Sequence, residues 1–303
     1  MERIGKYEVR KKLIATGFSD IYLCFDPDLE TSVAVKVFSL KGKNAGPKAK
    51  YGPDVWRERF LREAKVLAHL DHPNIVTVKE LAYLDGGQPY FVMPFIEANL
   101  IYEMGKDATD PATIAGLPPR ERPRRLAPAR AMSVFRQILS ALAELHRLGL
   151  VHRDVKPGNV LLTRKVGGAV KICDFGMVKF PDFKRSRSGI WIGTLDYIAP
   201  EQRESAREAD ARSDVYSAGA VAYRMLAGRL PVGAFPAPRA AGIDVPEALD
   251  TLVMECLAPE KDRRPRNADV VLRRLAQAWP AAFRPEPRIG AARVVLVSKQ
   301  RTS

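Results

Sequence analysis

Asp154, Lys156 and Asn159 stand within the eight-residue run His152-Arg153-Asp154-Val155-Lys156-Pro157-Gly158-Asn159, and Asp174 follows fifteen residues after Asn159 in Asp174-Phe175-Gly176. A carboxylate, an ammonium and an amide in one loop, with a second carboxylate on the turn after a hairpin, form a kit suited to phosphoryl transfer. One carboxylate accepts a hydroxyl proton, the amide and the second carboxylate hold magnesium, and the cation spans the moving phosphate. Lys36 lies in the strand-like Val33-Ala34-Val35-Lys36, and Glu63 lies on an amphipathic segment, Arg62-Glu63-Ala64-Lys65.

The elements that must position these groups follow from periodicity. Residues 6–38 alternate apolar and polar with β-branched enrichment and turn signals at Gly17 and Asp26-Pro27-Asp28, which predicts a three-stranded antiparallel sheet. Phe60, Leu61, Ala64, Leu67 and Ala68 recur at helical spacing over 54–70, and Asp71-His72-Pro73-Asn74 stops that helix. Two more strands, Ile75 to Leu81 and Pro89 to Ile96, flank the Asp85-Gly86-Gly87 turn. From residue 129 onward the pattern is mostly helical, over 129–148, 213–228, 246–258 and 267–278. A β-rich lobe followed by an α-rich lobe is an α+β arrangement with a cleft at the junction.

Before the first long helix of that second lobe, residues 105–128 hold Pro111, Pro118, Pro119, Pro123 and Pro128, and no helical or strand period survives there. The stretch reads as a mobile, basic insertion, a solvated loop or a docking segment. Residues 280–303 read as a basic tail or linker.

Composition narrows the function classes. A chain of 303 residues, 46% hydrophobic and 28% charged, is expected to be globular. It contains no apolar run near the roughly 18 residues that span a bilayer, and Met1 to Tyr7 lack a signal-peptide core. Cys24, Cys173 and Cys256 are odd in number and widely spaced, which fits a reducing cytoplasm and excludes a disulfide framework. The net charge of +14 gathers in three places, Lys41 to Lys50, Arg120 to Arg130 and Arg284 to Arg301, without interleaved aromatics, so no dedicated nucleic-acid surface is expected. His69 and His146 read as helix-surface residues, and Cys173 as a packing residue lining the cleft.

The HRDxKxxN run with the DFG triplet at this spacing resembles the catalytic loop of eukaryotic-type (Hanks-type) serine/threonine protein kinases, and the resemblance covers roughly residues 7–279. It implies a bilobal kinase-like fold with a small β-rich N-lobe (about 1–93) and a larger helical C-lobe (about 97–279). It also implies that ATP and Mg²⁺ serve as cofactors and that substrates are proteins with Ser/Thr acceptors. Asp154 would be the base, Lys156 the γ-phosphate cation, and Asn159 and Asp174 the metal ligands, with Lys36 on the α- and β-phosphates and Glu63 as its partner. Ile21, Ala34 and Leu161 would sandwich adenine, with Met93 at the gatekeeper position and the Ile96 N–H at the hinge.

The phosphate-loop positions fall on Leu13, Ile14, Ala15, Thr16, Gly17, Phe18 and Ser19, and there the chain departs from its relatives. Ile14, Thr16 and Ser19 stand where three glycines are usual. Side chains at those places keep backbone N–H groups from closing over phosphates, so nucleotide affinity is expected to suffer. A nucleotide-binding pseudokinase scaffold is therefore the alternative. Gly193 to Glu201 resemble the end of an activation segment, with Glu201 pairing with Arg264 and Asp214 anchoring the catalytic loop. Together these exclude a small-molecule kinase of the aminoglycoside type. Ser186 and Ser188 are candidate autophosphorylation sites, and the excess of arginine over lysine leans towards a bacterial member.

Overall fold

The computed structural model describes residues 2–15, 18–40, 52–164, 167–174, 195–205 and 208–283. Thr16, Gly17, Phe175, Gly176, Ser186, Ser188, Thr194, the basic run 41–50 and the tail beyond Phe283 lie outside them.

The chain is bilobal. Six antiparallel strands, β1 (Arg3–Ile4), β2 (Tyr7–Ala15), β3 (Ser19–Asp26), β4 (Thr31–Phe38), β5 (Glu80–Tyr83) and β6 (Pro89–Pro94), form one sheet in the order β1-β2-β3-β4-β6-β5. Helix α1 (Pro53–Ala68) packs on it. The two-residue alternation of β4 explains how. Val33, Val35 and Val37 enter a cluster with Tyr7, Cys24, Tyr90 and Val92. Ala34 and Phe38 face the other way, into a cluster with Trp56, Phe60 and Phe91. Lys36 shares the parity of Ala34 and Phe38, so the strand delivers its ammonium to the helix side. On α1 the buried positions Trp56, Phe60, Glu63, Ala64 and Leu67 form one stripe, and that stripe includes the glutamate.

Two expectations need correction here. Strand β1 was not legible. The segment expected as a strand from Ile75 is a strand only from Glu80. Its first part is occupied elsewhere, because Val76 donates to the Ile172 carbonyl (3.0 Å) and Ile172 donates to that of Asn74 (2.8 Å), across to the second lobe. The Asn74 amide adds bonds to Gln137 Oε1 and the Val170 carbonyl.

The helical lobe is built on α4 (Pro128–Arg147), α6 (Ala211–Ala227), α7 (Glu247–Cys256) and α8 (Ala268–Ala278), with short α5 (Pro200–Glu204) between α4 and α6. A small sheet of β7 (Ala98–Asn99), β8 (Val160–Leu162) and β9 (Val170–Ile172) borders the cleft. Every residue of α6 from Ser213 onward is buried, the signature of a helix at the centre of a core. Gly219 permits this, since a Cβ there would stand 2.6 Å from that of Cys256 on α7.

Residues 105–128 also differ from expectation, for they are structured. After α2 (Leu100–Met104) ends at Gly105, α3 spans Pro111–Gly116 and a 3-10 turn spans Pro119–Glu121. Of the prolines that erase the sequence period, Pro111, Pro119 and Pro128 each open a helix or 3-10 turn, where a missing N–H costs nothing. The arginines bind carbonyls within the lobe: Arg122 bonds to Leu117 (3.0 Å), and Arg124 to Glu103, Arg120 and Tyr102.

The anchor of this segment is Arg224 of α6, 1% exposed. Its Nε donates to Asp107 Oδ1 (2.6 Å), and its terminal nitrogens donate to the carbonyls of Arg124, Met104 and Lys106. The Tyr197 hydroxyl donates to Asp107 Oδ2 (2.8 Å). A buried cation deprived of its counterion is a large penalty, so Asp107→Ala is expected to cost about 3–5 kcal/mol. The double variant Asp107→Ala/Arg224→Met, which removes the stranded charge as well, should recover part of that loss in urea denaturation. A single variant within about 1 kcal/mol of the parent would contradict this account.

Candidate active site

Lys36 Nζ reaches Glu63 Oε1 at 2.7 Å and Asp174 Oδ1 at 3.3 Å. Burial alone would lower the Lys36 pKa, but the two carboxylates outweigh it and hold the value above the ordinary lysine range. The ammonium therefore stays charged between one residue of each lobe. Burial pushes the neighbouring Cys173 thiol well above its usual value, so it remains protonated as a packing group beside the cleft.

The loop 150–159 is held from beneath by Asp214, which is fully buried. Its Oδ2 accepts from the His152 N–H (2.8 Å) and lies 2.9 Å from His146 Nε2, while its Oδ1 accepts from the Arg153 N–H (2.8 Å). His146 is thus not a surface residue. Its side chain is 3% exposed, and its Nδ1 accepts from the Ala268 N–H (3.1 Å), which leaves the Nε2 proton for Asp214 and ties α4, α6 and α8 together. His69 does stay outside, bonded to the Lys65 carbonyl at the end of α1.

Within the loop, Asn159 Nδ2 donates to the Asp154 carbonyl (2.9 Å) and to its Oδ2 (3.0 Å), and Lys156 Nζ lies 3.1 Å from that same Oδ2. The Cys173 N–H bonds to the Asn159 carbonyl, which sets Asp174 beside the loop. Arg153 (φ 68°) and Asp174 (φ 55°) both adopt the left-handed region, which is uncommon away from glycine and clusters at functional sites. With its amide nitrogen engaged, Asn159 keeps Oδ1 as an acceptor. Asn159 Oδ1 and the Asp174 carboxylate are hard oxygen donors of the kind Mg²⁺ prefers.

The apolar residues expected around adenine are brought together. Ile21, Ala34 and Met93 share one buried cluster, against which Phe95, Ile96, Leu161 and Cys173 pack. Leu13 and Ile14 are exposed at the end of β2, where Ile14 pairs with Ile21 and Ala15 with Asp20. Ser19 is buried, opposite Phe38. Phe18, noted in the sequence only for its place in the loop, stacks on Trp56. No local pattern foretold that contact, nor the one between Tyr197 and Asp107.

Below the cleft, Arg264 makes a two-pronged bond to Glu201 (2.8 and 2.9 Å), and Ser213 Oγ donates to the same carboxylate (2.7 Å). This pairing and the role of Asp214 are as the sequence predicts.

With this geometry the comparisons agree. The profile of the protein kinase domain family matches residues 7–277, and the chain belongs to that family. It is 35% identical over 297 residues to the DNA damage-responsive serine/threonine-protein kinase RqkA of Deinococcus radiodurans, covering 92% of this chain and 40% of the relative. It is 32% identical to the serine/threonine-protein kinase PksC of Streptomyces coelicolor, covering 88% and 48%. The crystal structure of the Mycobacterium tuberculosis PknI kinase domain superposes with a TM-score of 0.58 at 26% identity, covering 91% of this chain and 97% of that one. The chain thus spans less than half the length of these two curated relatives. Among the described residues no helix is long and apolar enough to cross a membrane.

The Glu201 carboxyl is raised by burial, but its bonds to Arg264 and Ser213 outweigh that and hold it below the ordinary value of 4.5. A depressed folded-state pKa gives stability that is complete above 4.5 and lost as pH falls through the folded value. Melting temperatures of parent and Glu201→Gln should therefore differ most at neutral pH and converge as pH falls from 4.5 through the lower folded value. A gap independent of pH would assign the pair no electrostatic part.

Proposed function

We propose that this chain transfers the γ-phosphoryl group of ATP to serine or threonine hydroxyls of protein substrates. The observation that carries this reading is the convergence of Lys36, paired with Glu63, and of Asp154, Lys156 and Asn159 with Asp174 on one cleft. ATP supplies the phosphoryl group, and Mg²⁺, held by Asn159 and Asp174, supplies charge neutralisation.

Each residue then has a stated task. Lys36, kept protonated by its two carboxylates, binds the α- and β-phosphates. Glu63 fixes the direction of that ammonium. Asp154 orients the acceptor hydroxyl and takes its proton, with its Oδ2 held by Asn159 and Lys156. Lys156 is close enough to the same carboxylate to place its charge beside the transferred group. Ile21, Ala34, Met93 and Leu161 exclude water around the base, and the Ile96 N–H holds its edge. The serine/threonine assignment rests on Lys156 two residues after Asp154 and on the printed names of the relatives. The free cysteines support a reducing, cytoplasmic setting for this work.

Labelled ATP incubated with the purified chain and a generic basic protein should yield phosphate on protein. Asp154→Asn should lower that turnover by roughly 10²-fold or more while leaving ATP affinity nearly unchanged, because shape is kept and only the proton acceptor and its charge are lost. Nucleotide binding without transfer in the parent would favour the scaffold reading instead. Mass spectrometry of the incubated chain should locate autophosphorylation at Ser186 or Ser188. A fully active chain without phosphate there would remove those serines from the mechanism.

A further inference from the structure

The loss of three glycines leaves the phosphate loop with side chains in place of an adaptable backbone, and the packing shows what holds its descending end. The Phe18 ring lies flat on the Trp56 indole, with ring centroids 4.8 Å apart and planes 9° from parallel. Trp56 is 1% exposed. The Phe18 carbonyl accepts from the Ser39 N–H (2.9 Å), and Ser19 follows directly into β3. Trp56 and Glu63 stand seven residues apart on the buried stripe of α1, two turns along one face. Both border the same small cavity as Phe18 and Lys36. Contacts therefore run without a gap from Phe18 to Trp56, along one rigid helix to Glu63, and on to Lys36 and Asp174.

We propose that Trp56 is a positioning residue for nucleotide. Its indole seats Phe18, so that one helix sets both the loop end and the Lys36–Glu63 pair. The inference rests on the phosphoryl-transfer reading for its consequence and on packing alone for its geometry. An aromatic anchor replaces conformational freedom with a fixed seat. Phe18, at the end of the loop, is placed by what it touches on α1.

Four variants and three measurements test this. Phe18→Ala and Trp56→Ala should each weaken binding of a fluorescent ADP analogue by roughly three- to tenfold and raise the KM for ATP alike, with the KM for peptide within twofold of the parent. Trp56→Phe keeps a ring under Phe18 and should restore most of the affinity. The double alanine variant should be no worse than the poorer single one, since both remove one contact. Hydrogen exchange of the nucleotide-free chain should speed up around Glu63 in Phe18→Ala. Phe18 is only partly buried, so that variant is expected to fold. Unchanged analogue affinity, or unchanged exchange near Glu63, in Phe18→Ala overturns the proposal. A destabilised Trp56→Ala whose two KM values rise together makes the indole a mere core residue, and likewise overturns it. A parent that binds the analogue but transfers no phosphate refutes the transferase reading alone. A parent that binds no nucleotide refutes both.

Discussion

A carboxylate sealed from water has to find its hydrogen-bond donors inside the protein, and the whole helical lobe is arranged around one that does. Asp214 sits in the first turn of α6, fully buried, and its donors are two successive backbone N–H groups of the catalytic loop and the His146 ring. Leaving such a charge without partners costs several kcal/mol, so the loop has little freedom to lift away while α6 stays folded. The left-handed turn at Arg153 is held on either side, by its own N–H on Asp214 and by the Asp154 N–H on His152 Nδ1 (3.2 Å). Asp154, the next residue, inherits its position from this arrangement, as do Lys156 and Asn159 after it. Catalytic geometry here is set from below, by a group that never touches the cleft.

The second centre is Lys36. A lysine buried among apolar neighbours would ordinarily lose its charge, yet here two carboxylates from different elements keep it. One belongs to α1 and the other follows β9, so the ammonium also joins the lobes. Ala34, in the apolar cluster proposed to hold adenine, comes from the same strand alternation that delivers Lys36. The proposed base and phosphate sites therefore share one piece of backbone, and a slip of one residue in β4 would disturb both together.

What could be read from the chain alone depended on how local the physics was. Asp154, Lys156, Asn159 and Asp174 stand out because side-chain type and spacing carry the chemistry directly, whereas Lys36 and Glu63 come from the family resemblance. The β4 alternation and the α1 stripe were legible for the same reason, each being a period within one element. His146 was misplaced because burial of a helix position depends on which helices meet there, and α6 and α8 lie far along the chain. Residues 105–128 were misjudged because their prolines interrupt every period, whereas proline in a first helical turn is compatible with order. Their order comes from Arg224, more than a hundred residues distant. The expected strand at Ile75 failed because its backbone partners are in the other lobe. Phe18 and Trp56 lie on opposite sides of a long span of chain, and no local pattern pairs two rings.

The segment around Asn74 gives the molecule a mechanical character. The lobes are joined by the chain from Pro94 to Ala98, and joined again, without a covalent link, where Asn74 and Val76 clasp Ile172 and the Asn74 amide grips Val170. The Lys36–Asp174 pair makes a third attachment, across the cleft itself. Any opening about the line through the first two points has to break that pair, so the ammonium is a latch on a door hung from two hinges.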